Sequence, residues 1–483
     1  MTALPATVVN ENYLSRLQDV ELDTCKQYFQ LICDVNYALS QFCEDLRQNV
    51  FNDEEFEIIF KKMKDQIFEN QYGGTDYQSL STLKNKLYAL EHMDDIDTKA
   101  QELKLIRDEL LPKTSRTTLR LSQLCPDLCS PLILESKRLH LQRLLRLPPN
   151  VHVLKFIEQV TVFTDSIRRP CVIKALLSDG QTRRYICKGG EPMLRDASIQ
   201  RAISALPLLT PLFRGRSYYV TPLGEDSAIL EYLEDHIRLR ELMDIEIPAH
   251  RMNDEKLILA PRLALEQFNE KSAIVTPYNL RSAIESNSSC VQEFIAKKRT
   301  FEDTLSSMTI LSWIFGVGDR HLQNIMFNTR DGGVCAVDWA TIFKYGRREL
   351  PPARLTANLL AVCDVKVLES RLQQLLLFLR NNKKTFETFL KTSFYWLGPE
   401  FKELIYINKI LRGDTVSYTI TRECLEESEI KNKDKYIALL DDVFQDFASK
   451  DTYTVEEQIS YLLRQCIHPS ILSVTRSGWE AWI

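Results

Sequence analysis

The spacing of apolar positions changes character along this 483-residue chain. From Tyr13 to Leu110, Leu and Phe recur among charged residues at helical spacing, broken at Gly73-Gly74, which predicts several packed helices. A basic amphipathic helix is expected from Ser136 to Leu147, with Lys137, Arg138, Arg143 and Arg146 on a solvated face and Pro148-Pro149 as its stop. Past those prolines the period shortens. Val160 to Phe163, Cys171 to Leu176 and Arg184 to Lys188 read as short strands, with Ser178-Asp179-Gly180 as a hairpin turn. A helix near Asp196 to Leu206 and a strand ending in Ile229-Leu230-Glu231-Tyr232 complete a small antiparallel sheet with one helix.

Helical spacing returns beyond Asp235. Phe301, Thr304, Leu305, Met308, Leu311 and Phe315 fall on one face of a helix that runs into GVGDRHLQNIMFNTRDGGVCAVDWA, residues 316–340. Within that stretch Ile325 to Phe327 and Val334 to Val337 predict two strands around Asp331-Gly332-Gly333, a return that brings Asp338 towards Asn324. Near the end, Thr454 and Glu457 form a capping box for a helix with Val455, Ile459, Leu462, Leu463 and Cys466 on its apolar side, stopped by Pro469. Trp479 and Trp482 in the terminal SGWEAWI are expected to dock into a groove.

Composition narrows the class. The length suggests roughly three units of ordinary domain size, and 44% hydrophobic content supports globular packing. A net charge of -5 argues against a protein whose whole surface grips nucleic acid. The 12 cysteines lack any CxxC pair, which predicts buried free thiols in a reducing compartment; Cys125 and Cys129 have no second pair of ligands nearby for zinc. No signal-like N-terminus or run of eighteen apolar residues occurs, so a soluble, non-secreted protein with no membrane partner is expected. With 15 glycines and no Gly/Ser linker, the units are expected to pack directly.

The candidate chemistry lies in residues 316–340. Asp319, Asn324 and Asp338 are oxygen ligands, and the four residues between Asp319 and Asn324 match the spacing between the base and a magnesium ligand in protein-kinase catalytic loops. That spacing points to phosphoryl transfer, which also requires a cation on the nucleotide phosphates. Lys188, at a strand end in RRYICKGGE, is the candidate, with Glu191 or Asp196 to hold it. Taken singly each has a blander reading: a strand-end lysine as a surface residue, His321 as a structural hydrogen-bonder, Tyr232 as core. The joint pattern favours chemistry.

On these residues the chain resembles the phosphatidylinositol 3-kinase-related protein kinases. GDRHLQN is similar to their GDRHxxN catalytic loop, KGGE with Asp196 to their lysine motif, and SGWEAWI to their short C-terminal segment. VTVFTDSIRRPCVIK, ILEYLED and the Arg354 to Thr356 RLT resemble the family's DNA-dependent branch. The resemblance runs from about Leu147 to Ile483. It implies an α+β, bilobal phosphoinositide-kinase-type protein kinase fold with an N-terminal helical region and a short C-terminal FATC-like helical segment. The expected domains are a helical region at 1–146, a kinase N-lobe at 147–235, a C-lobe at 236–450 and the FATC-like segment at 451–483. The implied activity is a serine/threonine protein kinase using ATP and Mg2+.

By the same resemblance Asp319 would orient the substrate hydroxyl and His321 would stabilise the transferring phosphate or assist the base. Asn324 and Asp338 would ligate the metal, and Lys188 would contact the α- or β-phosphate, oriented by Glu191 and Asp196. Tyr232 would stack on adenine with the Leu233 backbone as hinge partner, and Ser166 would lie in the phosphate-covering loop. The DNA-dependent branch further implies protein substrates, the Ku heterodimer and DNA ends as partners, double-strand break repair by non-homologous end joining, and a nuclear location. The helical repeats that engage DNA in that branch are not in these residues, so a fragment, a truncated product or a compact relative is expected.

Three departures from the family pattern stand out. Ala340 replaces the glycine of DFG, at about 1 to 2 kcal/mol if that position needs positive φ. Pro192 replaces an aspartate, and the segment between Asp338 and Arg354 is a few residues shorter than in relatives. These keep open a catalytically weak or inactive kinase-fold scaffold. The terminal GWEAWI argues against a lipid kinase.

Overall fold

The computed structural model describes residues 22–30, 32–33, 116–163, 168–224, 226–243, 277–339, 341–395, 403–430 and 433–474. The helices expected between Tyr13 and Leu110 therefore lie largely outside the described residues, as do Ser166, Ala340, Trp479 and Trp482. Two compact units emerge. One takes the described residues up to Ala197 with Tyr218–Tyr232; the other takes Ser198–Ser217 and the described residues from Leu233.

The first unit is built on a seven-stranded antiparallel sheet of β1 (Arg116–Arg120), β2 (Val153–Phe156), β3 (Gln159–Phe163), β4 (Cys171–Leu177), β5 (Thr182–Gly189), β6 (Val220–Pro222) and β7 (Ser227–Glu231). The order is β1-β3-β4-β5-β7-β6, with β2 also on β4. The β4–β5 hairpin closes at Ser178-Asp179-Gly180 as expected, with Leu177 N–H donating to the Gln181 carbonyl at 2.9 Å. Alternation decides which face is covered. Tyr185, Cys187 and Gly189 of β5 are buried while Arg184, Ile186 and Lys188 take the other face. Helical residues 22–30 and 32–33 supply Cys25, Phe29, Ile32 and Cys33 to the buried cluster that packs on that sheet.

Two expectations in this unit are corrected. Strand β1 lies in a stretch expected to be helical; adjacent β-branched Thr117 and Thr118 favour extended backbone, and the strand pairs with β3. The basic helix is shorter than Ser136 to Leu147. Helix α1 (Pro131–Ser136) ends at Lys137, and α2 spans only Arg138–Leu144. The Gln142 amide donates to the carbonyls of Pro148, Pro149 and Val151 at 2.6, 2.7 and 2.9 Å, which turns the chain early, and Arg146 takes a left-handed φ of 50°.

Helix α3 (Met193–Leu209) starts in the first unit. The second unit contains β8 (His236–Arg238), α4 (Val291–Phe315), β9 (Ile325–Asn328), β10 (Val334–Ala336), α5 (Val365–Asn381) and α6 (Val455–Ile467). Its three strands form a sheet of order β10-β9-β8. Helix α4 was expected to bury one face. Between Phe301 and Phe315 it buries nearly every residue, because β10 and α5 both pack against it. Two serines there satisfy their hydroxyls on the helix itself: Ser306 donates to the Glu302 carbonyl at 2.6 Å and Ser307 to that of Asp303 at 3.1 Å. Asp364 caps α5, and Thr454 with Glu457 forms the expected capping box on α6.

The described cysteines are free, and most are buried; Cys290 is exposed, at the N-cap of α4. Among the described residues there is no group of three or more His, Cys, Asp and Glu placed to hold a metal ion. No described helix is long and apolar enough to cross a membrane.

Candidate active site

In the first unit, β5 delivers Lys188 to the face opposite the core, and the Gly189-Gly190 turn brings Glu191 back to it. Lys188 Nζ lies 2.7 Å from Glu191 Oε2, in a pair only 12% and 18% exposed. Arg168 Nε approaches the other Glu191 oxygen at 3.6 Å. Partial burial strengthens this attraction relative to a surface pair. Asp196 is buried in the first turn of α3, where an anion is favoured by the helix dipole, and accepts the Tyr218 hydroxyl at 3.0 Å on both oxygens. The Tyr232 ring has the Arg184 guanidinium 4.0 Å over its centroid, so adenine stacking would use its other face or displace that arginine.

In the second unit the GDRHLQN sequence leaves α4 through Gly316, whose φ of 57° is the left-handed turn that ends the helix and lets Val317 N–H reach the Ser312 carbonyl at 2.8 Å. Asp319 and Asp338 are both left-handed too, with φ of 59° and 60°. Aspartate tolerates this region better than most residues, and such conformations gather where a site over-determines the backbone. Here the determinants are visible. Asp319 N–H donates to both carboxylate oxygens of Glu349 at 3.0 Å. Buried Arg320 donates from Nε to the Gly318 carbonyl at 3.0 Å, from Nη1 to Val337 at 2.7 Å and from Nη2 to the Asp338 carbonyl. One guanidinium thus ties both aspartate segments together.

Asn324 closes the loop. Its amide nitrogen donates to the Asp319 carbonyl at 2.9 Å and to Asp319 Oδ2 at 3.3 Å, while its carbonyl accepts Val337 N–H at 2.9 Å. With the nitrogen committed to Asp319, the amide oxygen is turned the other way. His321 Nδ1 accepts Gln323 N–H at 3.2 Å, so the neutral ring carries its proton on Nε2, which sits 3.8 Å from Asp319 Oδ1. Burial pushes the His321 pKa below its ordinary value; the charges of Asp319 and Asp338 oppose that shift. Trp339, following Asp338, is buried and anchored through Nε1 to the Ala336 carbonyl at 2.8 Å.

Asn324 and Asp338 offer hard oxygen donors, the set Mg2+ prefers alongside phosphate oxygens and water, so the residues fit that ion. Leu233 is half-buried at the start of the second unit. Spacing alone did not single out Glu349, Tyr218 or Arg168. Glu349 lies 30 residues from Asp319, where no periodicity connects them.

The family described as phosphatidylinositol 3- and 4-kinase matches residues 184–399. The DNA-dependent protein kinase catalytic subunit of Gallus gallus is 22% identical over 91% of this chain and 13% of its own length. Serine-protein kinase ATM of Sus scrofa is 23% identical over 65% of this chain and 12% of its own. For serine/threonine-protein kinase tel1 of Neurospora crassa the figures are 27%, 43% and 8%. The chain spans about an eighth or less of the length of these curated relatives. Among solved structures, the open conformation of CtTel1 covers 94% of this chain and 17% of that one, with a TM-score of 0.51 at 17% identity, a likeness of fold. Loop order and these likenesses make the chain similar to the phosphatidylinositol 3-kinase-related protein kinases, with the DNA-dependent protein kinase catalytic subunit among the relatives it is similar to.

Proposed function

We propose that this chain transfers the γ-phosphate of ATP to serine or threonine hydroxyls of protein substrates. The observation that carries the reading is the Asp319, Asn324 and Asp338 arrangement, drawn together by Arg320 and the Asn324 amide. Asp319 orients the acceptor hydroxyl and takes its proton. His321, neutral and protonated on Nε2, donates towards the transferring phosphate. Asn324 and Asp338 would hold Mg2+, which when bound neutralises charge on the phosphates. Lys188, held beside Glu191, contacts the α- or β-phosphate, with Asp196 supporting it. Tyr232 and the Leu233 backbone receive adenine, and Ser166 belongs to the phosphate-covering loop.

The relatives named serine/threonine-protein kinases support protein hydroxyls over lipids as acceptors. Likeness to a DNA-dependent kinase supports a nuclear role in the DNA damage response, extending to non-homologous end joining with Ku and DNA ends as partners. The domain division proposed for this activity is the helical region at 1–146, N-lobe at 147–235, C-lobe at 236–450 and FATC-like segment at 451–483. A thermal-shift titration tests the nucleotide site. ATP at 100 times its dissociation constant stabilises by about 2.7 kcal/mol, an effect expected to need Mg2+ and to weaken in Asp338→Asn. Absence of a metal-dependent shift would sink the reading and favour the scaffold.

A further inference from the structure

We infer that Glu349 is a positioning residue for the catalytic loop: its carboxylate holds the Asp319 backbone in the conformation that aims the Asp319 side chain. The inference rests on the reading of Asp319 as the residue that orients the acceptor. Asp319 N–H points at a carboxylate rather than at a backbone carbonyl, with both Glu349 oxygens at 3.0 Å. A hydrogen bond to an ionised acceptor is roughly twice as strong as a neutral one. It falls on a residue whose φ of 59° is unfavourable for an L-amino acid, which is where an outside restraint has most to hold.

The surroundings are built for that carboxylate. A Cβ on Gly318 would come within 2.6 Å of Glu349 Oε1, so the residue before Asp319 is one whose missing side chain leaves room for it. Gly318 N–H itself donates to the Thr341 carbonyl at 2.9 Å, and Glu349 N–H to that of Gly346 at 3.0 Å. The segment after Asp338 thus returns on the catalytic loop at two points, and Glu349 supplies the one that reaches Asp319. Conformational change in residues 341–350 would pass to Asp319 through this contact.

The test compares Glu349→Ala, Glu349→Gln and Gly318→Ala in the full chain, with Mg-ATP and a serine peptide. Displacing a reacting group by about 1 Å can lower turnover about a hundredfold. Glu349→Ala is expected to lower kcat by about ten- to a hundredfold while KM for ATP stays within about twofold. Glu349→Gln keeps one acceptor oxygen and is expected to recover part of the loss. Gly318→Ala, which leaves the carboxylate in place but crowds it, should resemble Glu349→Ala. Amide hydrogen exchange gives a readout independent of catalysis: the Asp319 amide should exchange at least about tenfold faster in Glu349→Ala. A Glu349→Ala enzyme with wild-type kcat would overturn the inference, as would a loss that Glu349→Gln shares in full. If the wild type transfers no phosphate, the proposed activity falls, and unchanged Asp319 exchange in Glu349→Ala then overturns the inference as well.

Discussion

Arg347 offers the sharpest energetic test of how the loop leaving α4 is supported. Its side chain is 4% exposed and lies at the C-terminal end of α4, where the last carbonyls of any helix lack partners. Nη1 donates to the Trp313 carbonyl at 2.9 Å and Nη2 to that of Ile314 at 2.5 Å, and the guanidinium lies 5.4 Å from the Tyr406 ring. Burial pushes the Arg347 pKa down from its ordinary value, opposed by Cys424, Glu403 and Tyr406 nearby. Hydrogen bonds to charged groups contribute about 1.5 to 3 kcal/mol each, and a cation at a helix C-terminus about 1 kcal/mol more. Removing the charge recovers part of its desolvation cost, while Ala leaves a cavity. The net expectation is about 3 to 5 kcal/mol lost in Arg347→Ala and about 2 kcal/mol in Arg347→Met, which fills the space without donors. For a unit of this size that corresponds to a fall in Tm of about 10 °C for Ala and about 5 °C for Met. Scanning fluorimetry without nucleotide reads both values, and 0.5 M salt should leave the differences intact because the contacts are buried. An Ala variant melting within about 2 °C of wild type would refute the reasoning.

Other outcomes follow from the same structure. Thr454→Ala removes the capping box on α6 and should cost about 1 kcal/mol, read by chemical denaturation; an unchanged midpoint would show that the cap is idle. Under native labelling at pH 8, exposed Cys290 should react first among the described cysteines. Cys125, pushed up to about 12 by burial, should react only after unfolding, and its early modification would contradict the packing around it. Burial lowers the His236 pKa, so the unfolded chain binds a proton near pH 6.5 that the folded chain resists. Stability should therefore fall as pH drops below about 6.5, and His236→Asn should lose less between pH 7.5 and 5.5 than wild type; an equal loss would refute this assignment.

The strands from Val160 to Tyr232 and the 325–336 hairpin were legible because alternation and turn chemistry are local. The same holds for Thr454 and Glu457. What stayed hidden depends on residues far apart in the chain. Gln142 shortens a helix by collecting carbonyls beyond it, and no periodicity announces that. Helix α4 reads as amphipathic because its serines are polar, yet the hydroxyls of Ser306 and Ser307 bond to the helix itself, which makes them compatible with burial on every side. At the site, the spacing of Asp319, Asn324 and Asp338 was visible, whereas their restraints were not. Arg320 sits inside the motif, but only the return of the chain at Val337 shows what it holds. Glu349 and Tyr218 carried no local signal at all.

The most direct measurement is phosphate transfer from γ-labelled ATP to a serine peptide by wild type, Asp319→Ala and Asp338→Ala, with Mg2+ and with chelator. The account predicts incorporation by wild type that vanishes on chelation and falls at least about a hundredfold in each variant. Equal signal from all three proteins, or incorporation indifferent to the chelator, would contradict it.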